Sequence, residues 1–319
     1  MRRPTCPTPG RARRRSHPGF TLVELLVVVT ILVILVGLLV PAVTSSIRRV
    51  RITAVQSEVN RIASAVTAFK TQYGADPPSF IVLYETGGTN GSNWDSRSRA
   101  IIRQLWPQCN FALTRDINGD GDANDTLTLH GGECLVFFLG GLPVPDTSQT
   151  PTRFSLLGFS KNPQDPFSRA QDANRDKAAY DFDSSRYVDL DGDGMPEFLD
   201  SFPGQRKPLV YFSSYDGSGY RLGDYPGTPS DLTIPAHWYV EGGTLNGPPY
   251  RAKSFQIISP GPDGEYGPGG PYVPGASTLE KALPAWTRNS PSPALTVTTA
   301  DRLVERDNIT NFSNGMLVP

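Results

Sequence analysis

Histidine is nearly missing from this chain of 319 residues: His17, His130 and His237 are all it has. No Gly-x-Ser-x-Gly elbow, His-Glu-x-x-His helix or phosphate loop accompanies them. Without a nucleophile–base pair in view, the chain does not read as an enzyme. His130, beside Gly131-Gly132-Glu133, reads as a loop histidine in preference to a ligand. An excess of basic charge is missing too, with 30 Lys and Arg against 31 Asp and Glu, so nucleic acid is not an expected partner. Acidic residues are absent from the first 19 positions, which hold Arg2, Arg3, Arg11, Arg13, Arg14 and Arg15. No charge of either sign lies between Leu25 and Val43.

What stands at the edge of that uncharged run is Gly19-Phe20-Thr21-Leu22-Val23-Glu24. Phe20 to Val43 as a helix is about 36 Å long, enough for a bilayer core of about 30 Å. The arginine-rich flank stays on the cytoplasmic side, which puts the rest of the chain on the other. A lone carboxylate such as Glu24 costs about 2.5–3.5 kcal/mol in hydrocarbon, and a plain anchor has no use for it. A secretory signal fits poorly. No small-x-small cleavage site follows Val43, and Ile47-Arg48-Arg49-Val50-Arg51 continues the helical pattern.

The segment resembles the leader and first helix of type IV prepilins and of type II secretion pseudopilins, over roughly the first 45 residues. The resemblance implies cleavage after Gly19 by a prepilin peptidase and N-methylation of Phe20. It also implies pairing of Glu24 with the terminal amine of a neighbouring subunit in a filament. That pairing answers the electrostatic problem, because a buried charge is tolerated where another chain supplies the cation. Pro41 removes one backbone bond and loosens the turn that Gly37 already weakens, a soft spot where the helix can bend during assembly.

Beyond the span, Ile52, Val55, Val59, Ile62, Val66, Phe69 and Tyr73 recur in alternating steps of three and four, one helical stripe that ends at Gly74 and Pro77-Pro78. A short coiled coil is the rival to packing against the chain's own sheet. Gly and Pro make 61 of the 319 residues, about 19%, above the usual value of about 12%, so the outer part is loop-rich. Strands are expected at Leu209–Ser213, Ser254–Ser259 and Leu295–Thr299. Cys134–Leu139 fits either a strand or a buried helix. The expected fold is α+β, a long N-terminal helix packed on a C-terminal antiparallel sheet domain with a large loop-rich insertion. The expected divisions are a cleaved leader (1–19), the membrane and assembly half of the helix (20–45), its amphipathic half (46–76), a variable insertion with acidic loops (77–205), and a C-terminal β domain with an end loop (206–319).

Loss of the leader would take Cys6 and leave Cys109 and Cys134, an even pair in an exported chain. A bridge between them is expected, with two buried thiols as the alternative. It would also leave 24 basic against 31 acidic residues, and the acids gather in loops. Asp189-Leu-Asp191-Gly-Asp193-Gly194 continues to Glu197 and Asp200, placing oxygens at loop positions 1, 3, 5, 9 and 12 with Gly at 6. That is the spacing of a calcium loop; its rival is a solvated Asp-Gly turn. Asp116-Ile-Asn118-Gly-Asp120-Gly121 repeats the opening, but Leu127 stands at position 12, with Asp122 or Asp125 as substitutes. Asp172-Ala-Asn174-Arg-Asp176 starts likewise, with Lys177 in the glycine place. Near the C-terminus, Asp263-Gly-Glu265 and Asp307-Asn308-Ile resemble the calcium-binding end loop of the major secretion pseudopilins, with Asn308 where a second Asp is usual. The expected cofactor is therefore structural Ca2+.

Three functions follow. The first is a filament-forming pseudopilin of a type II secretion system, held in the cytoplasmic (inner) membrane as a single-pass protein with its body in the periplasm. Its implied partners are the prepilin peptidase, the inner-membrane secretion platform, other pseudopilins, membrane lipid and further copies of itself. The second is a type IV pilin or minor pilin for surface adhesion or motility, favoured by the size of the body. The third is a membrane-anchored binding protein that never assembles.

Overall fold

Helix α1 spans Leu22–Tyr73 without interruption, and Pro41 lies inside it. A computed structural model describes residues 21–170, 174–224, 237–289 and 294–318. Gly19, Phe20, Cys6, His17 and Asp172 lie outside the described residues. The chain divides between Arg49 and Val50 into two compact units. In the first, every described residue is exposed, including Leu22, Leu38 and Val33. In the second, α1 buries Val55, Val59, Ile62, Val66 and Phe69, with Ile52 and Tyr73 half-buried at the ends of the stripe. The three-four periodicity is thus a packing face of the chain's own body, and not the seam of a coiled coil.

The region after α1 is richer in structure than its composition suggests. The strand Phe80–Tyr84 pairs antiparallel with Thr126–His130, in register Val82 against Thr128. Between them lies helix α2, Ser96–Leu105, whose first turn is capped by Asp95 accepting from the Arg97 and Ser98 amides. Helix α3, Gly131–Gly140, resolves the ambiguous Cys134–Leu139 run as a helix buried on all sides. Its start is fixed by Glu133, whose Oε2 accepts from the His130 amide at 2.6 Å. Gly131 is required there, because a Cβ would come within 2.1 Å of the Tyr211 carbonyl. Hairpin Leu142–Asp146 with Arg153–Leu157 follows.

All three expected strands are present, at Val210–Ser213, Phe255–Ser259 and Leu295–Val297. The first two form an antiparallel sheet completed by Ile309–Thr310, with Phe255–Ser259 central. Both faces of this sheet are buried. Tyr211, Ile257 and Ile309 join the core under α1, while Val210, Phe212 and Ile258 face a second core with Tyr239, Tyr266 and Tyr272. The fold is α+β, as the sequence implies.

The expected disulfide is not formed. Cys109 and Cys134 are both free and buried. Cys134 sits on α3, with its Sγ 3.5 Å from the Leu129 carbonyl, and Cys109 lies among Arg115, Asp165 and Arg103. Cys134 fills an apolar gap, the usual use of a buried free cysteine, whereas Cys109 is buried beside charged neighbours.

A buried pair locks α1 to the loop before Tyr187. Glu58 is 3% exposed and both of its carboxylate oxygens accept from Arg186, which also lies over the Phe198 ring, 4.4 Å from its centroid. Glu58→Ala leaves the Arg186 guanidinium with only the exposed Asp183, 3.5 Å from its Nε, as counter-charge and is expected to cost about 3 kcal/mol. Denaturant unfolding of the chain in detergent measures this; a cost under about 0.5 kcal/mol marks the pair as an ordinary surface contact.

Candidate functional site

Three places carry the chemistry, and the first is the start of α1. Thr21 and Glu24 form a reciprocal cap. The Thr21 amide and hydroxyl donate to Glu24 Oε2 at 2.9 and 2.8 Å, and the Glu24 amide donates to Thr21 Oγ1 at 3.1 Å. Glu24 is therefore satisfied within its own chain, at the head of a helix whose apolar residues are all exposed up to Val50. Further along, Pro41 deprives the Gly37 carbonyl of its helical donor. Thr44 and Ser45 hydroxyls donate to the carbonyls of Pro41 and Ala42 just beyond, at 3.0 and 2.9 Å. One helix among the described residues, Leu22–Tyr73, is long and apolar enough to cross a membrane.

The second place joins two acidic loops far apart in sequence. Asp116 accepts from the amides of Gly119 and Gly121 at 2.5 and 3.2 Å. Asp189 accepts in the same pattern from Gly192 and Gly194, at 2.7 and 3.1 Å. The shared Asp-x-[Asp/Asn]-Gly-Asp-Gly order thus folds twice in one way. The two copies meet: Asn118 Nδ2 donates to Asp125 Oδ2 and to the Asp193 carbonyl, each at 3.1 Å. A cavity of about 560 Å³ opens between them, lined by Asn118, Asp120, Asp125, Asp189, Asp193 and Phe154.

Two carboxylates not foreseen from the sequence complete these loops. Glu85, fully buried at the end of the Phe80–Tyr84 strand, accepts from the Ile117 and Asp125 amides at 2.6 and 3.1 Å. One oxygen each of Glu85, Asp122 and Asp125 lies within 4.8 Å of the others. Glu133 of α3 makes the same kind of triplet with Asp191 and Asp193. The available signal was an acid set directly against an apolar strand or helix, where only a partner explains it.

Asp200, expected as the closing ligand, is elsewhere. Residues Glu197–Phe198 are a strand, so the chain leaves the loop before position 12. The Asp200 carboxylate instead accepts from Ser259 Oγ at 2.6 Å, the Phe202 amide at 2.9 Å and Gln205 at 3.0 Å. Asp176 accepts from the Tyr73 hydroxyl at 3.0 Å and closes the end of α1. His130 Nδ1 lies 3.2 Å from the Asp224 carbonyl.

Electrostatics set this cluster apart. Burial, then the charges of Glu197, Asp193 and Asp191, pushes Glu133 up to about 9. Burial, then Asp191 and Asp189, pushes Glu197 up to about 8. Asp193 is pushed up to about 7, again by burial first and then by its acidic neighbours. Carboxyls whose proton is held first by burial and then by their acidic neighbours are what a hard cation with oxygen ligands would ionise.

The third place is the end loop. Asp263 Oδ1 accepts from the Glu265 amide at 2.8 Å, and the Asp263 and Asp307 carboxyls hydrogen-bond each other. Burial is the main cause that raises both; the Asp263 charge and the shared hydrogen bond push Asp307 further, up to about 6, while the same bond lowers Asp263 part of the way back. Asn308 is fully buried; its Nδ2 donates to Tyr239 Oη at 3.0 Å and the Tyr266 carbonyl at 2.6 Å, while its Oδ1 has no protein partner. That orphaned buried oxygen, on the residue next to Asp307, is a ligand atom that a hard cation would satisfy. Gly261, at φ 68°, is needed for the approach, since a Cβ would meet the Asp307 carbonyl at 2.1 Å.

An N-terminal apolar helix long enough to cross a membrane, with a capped carboxylate at its head and an α+β body after it, is consistent with a pilin-like fold. The prokaryotic N-terminal methylation motif matches residues 14–40. Over 88 residues the chain is 35% identical to the type II secretion system core protein G of Pseudomonas aeruginosa. The alignment takes in 26% of this chain and 62% of that protein, so the chain spans under two thirds of the relative it matches. No solved structure matches it. The motif and the identity make the N-terminal part of the chain similar to type IV pilin-like proteins and pseudopilins.

The sign of the pH dependence follows from the raised carboxyls. In the unfolded chain they titrate near about 4, so between there and about 9 the folded state holds protons that the unfolded state has lost. Stability in a chelator is therefore fully present below about 4 and falls as pH rises through the folded values near 7, 8 and 9. Glu133→Gln, which still accepts from the His130 amide, is expected to raise the melting temperature by several degrees at pH 8 and leave it unchanged at pH 4. Equal shifts at both pH values would show that Glu133 is not the titrating group.

Proposed function

We propose that this chain is a filament-forming pseudopilin subunit of a type II secretion system. In this reading a prepilin peptidase cuts after Gly19, Phe20 is methylated, and the chain waits in the inner membrane with its body in the periplasm. It then stacks through the apolar part of α1 beside other pseudopilins, on an inner-membrane platform, and takes no catalytic part itself. The carrying observation is Glu24, capped by Thr21 at the head of a helix whose apolar residues as far as Val50 have no cover in the single chain. The cap satisfies the carboxylate's hydrogen bonds but leaves its charge, and a neighbour's terminal amine would cancel that charge in a filament. A type IV pilin or minor pilin is the second reading. It is favoured by the large part of the body that lies outside the match, which takes in 26% of the chain.

Calcium belongs to the proposal as a structural ion. The support is the doubled Asp-Gly loop closed by Glu85 and Glu133, and the Asp263–Asp307 pair with the orphaned oxygen of Asn308, the residue next to Asp307. Bound there, the ion would neutralise carboxyls that otherwise repel, and extracellular sites of this kind bind at about 10⁻⁴–10⁻³ M.

Mass spectrometry of the chain recovered from its own membrane is expected to find N-methylated Phe20 at the terminus; an intact arginine leader overturns the reading. Glu24→Ala is expected to cut filament yield about 100-fold or more, the loss of one partner from a buried pair. Unchanged yield would favour an anchored protein that does not assemble. Removing calcium with EGTA is expected to lower the melting temperature of the body by several degrees at pH 7.5, and no shift removes the ion from the proposal.

A further inference from the structure

Residues 300–307 form a 3-10 helix that ends on Asp307, and its core is an ion pair with no exposure at all. Arg302 Nε and Nη2 donate to the two oxygens of Glu305 at 2.9 and 2.7 Å. The remaining Arg302 nitrogen, Nη1, donates to the Pro271 and Pro284 carbonyls at 2.6 and 2.8 Å. Glu305 Oε1 also accepts from the Gly269 amide at 3.0 Å, and Gly267 sits so close that a Cβ would meet Glu305 Cγ at 2.4 Å. The Asn308 amide donates to the Glu305 carbonyl at 3.1 Å. One pair thus fastens the helix that ends on Asp307 to residues 267–271, the stretch that leads out of the turn carrying Asp263.

The chemistry of the pair suits this task. Asp263 and Asp307 face each other and push apart once both ionise. A clamp bearing net negative charge would add to that repulsion. Arg302 cancels Glu305 within the clamp, and Asn308 offers an oxygen without a charge. Neither interaction uses a metal ion.

We propose that Arg302 and Glu305 are positioning residues that hold the end loop closed before its cation arrives, so that a divalent ion enters a site already formed. The inference rests on the calcium reading of the Asp263–Asp307 pair. The test compares the full-length chain in detergent with Glu305→Gln and Arg302→Lys, by amide hydrogen exchange in EGTA and in saturating calcium, and by calorimetric calcium titration. The parent is expected to protect residues 261–269 and 307–311 in EGTA. Each variant is expected to exchange these residues about tenfold faster or more in EGTA, to recover with calcium, and to need about tenfold more calcium for half-saturation, while residues 55–69 and 131–140 stay as protected as before. Unchanged exchange of the two segments in EGTA overturns the proposal. So does a loss of protection throughout the chain, which would make the pair a general strut. Calcium uptake by the parent decides the ion reading separately, because the exchange comparison in EGTA needs no ion.

Discussion

The burial of one stripe of α1 is the constraint on which the body depends. Val55, Val59, Ile62, Val66 and Phe69 have no exposure, and they share one core with residues of α2, α3 and the central sheet. Phe138 of α3 packs edge-on against Phe69, Tyr73 against Trp106 after α2, and Tyr211 and Ile257 of the central sheet close the same core. A sheet of three short strands has little stability of its own. Here it gains a second buried face from the C-terminal tyrosines, so each layer is covered by the next. Polar contacts then fix register: Glu58 meets Arg186, and Gln56 reaches the Thr310 carbonyl and the Gly315 amide at 3.0 and 2.9 Å.

The same helix solves the opposite problem in its first part. There the apolar side chains are exposed all round, which water does not tolerate and lipid or sibling helices do. In that setting each polar group must find a partner nearby. Glu24 has its Thr21 cap, and Thr30 donates to the Leu26 carbonyl at 2.7 Å. The cap supplies donors to the carboxylate but no positive charge. In the filament reading proposed above, an amine entering from another chain would gain a charge-assisted bond to Glu24 without breaking a salt bridge first.

How much of this was readable in the residues depends on whether the information was local. The α1 stripe was, because a three-four period can only be one helix face, and so were the strands at 210–213 and 255–259, bounded by turns. Cys134–Leu139 was not, because a helix buried on every side loses its period; the Glu133 cap at its start was the available sign. The cysteine bridge failed because an even count says nothing of distance. Asp200 failed because counting along a loop assumes that the loop continues, whereas a strand begins at Glu197. Glu85 and Glu133 escaped notice because their partners come from distant segments.

These last two residues also bear on what the acidic loops are. Turn chemistry alone accounts for Asp116 and Asp189, whose carboxylates accept amides of their own loop as Asp does in any tight Gly-rich bend. It does not account for Glu133. A helix cap needs one oxygen on one amide, and an exposed acid serves as well. Glu133 is 4% exposed and faces Asp191 and Asp193, an arrangement that raises its own proton affinity and costs stability at neutral pH. Glu197 adds a fourth acid to the same space and is raised in turn. Repulsion of this kind is tolerated in a fold where something offsets it. A proton does so for Glu133 and Glu197 up to about pH 8, and in the calcium reading proposed above a hard multivalent cation with oxygen ligands would do so once they ionise.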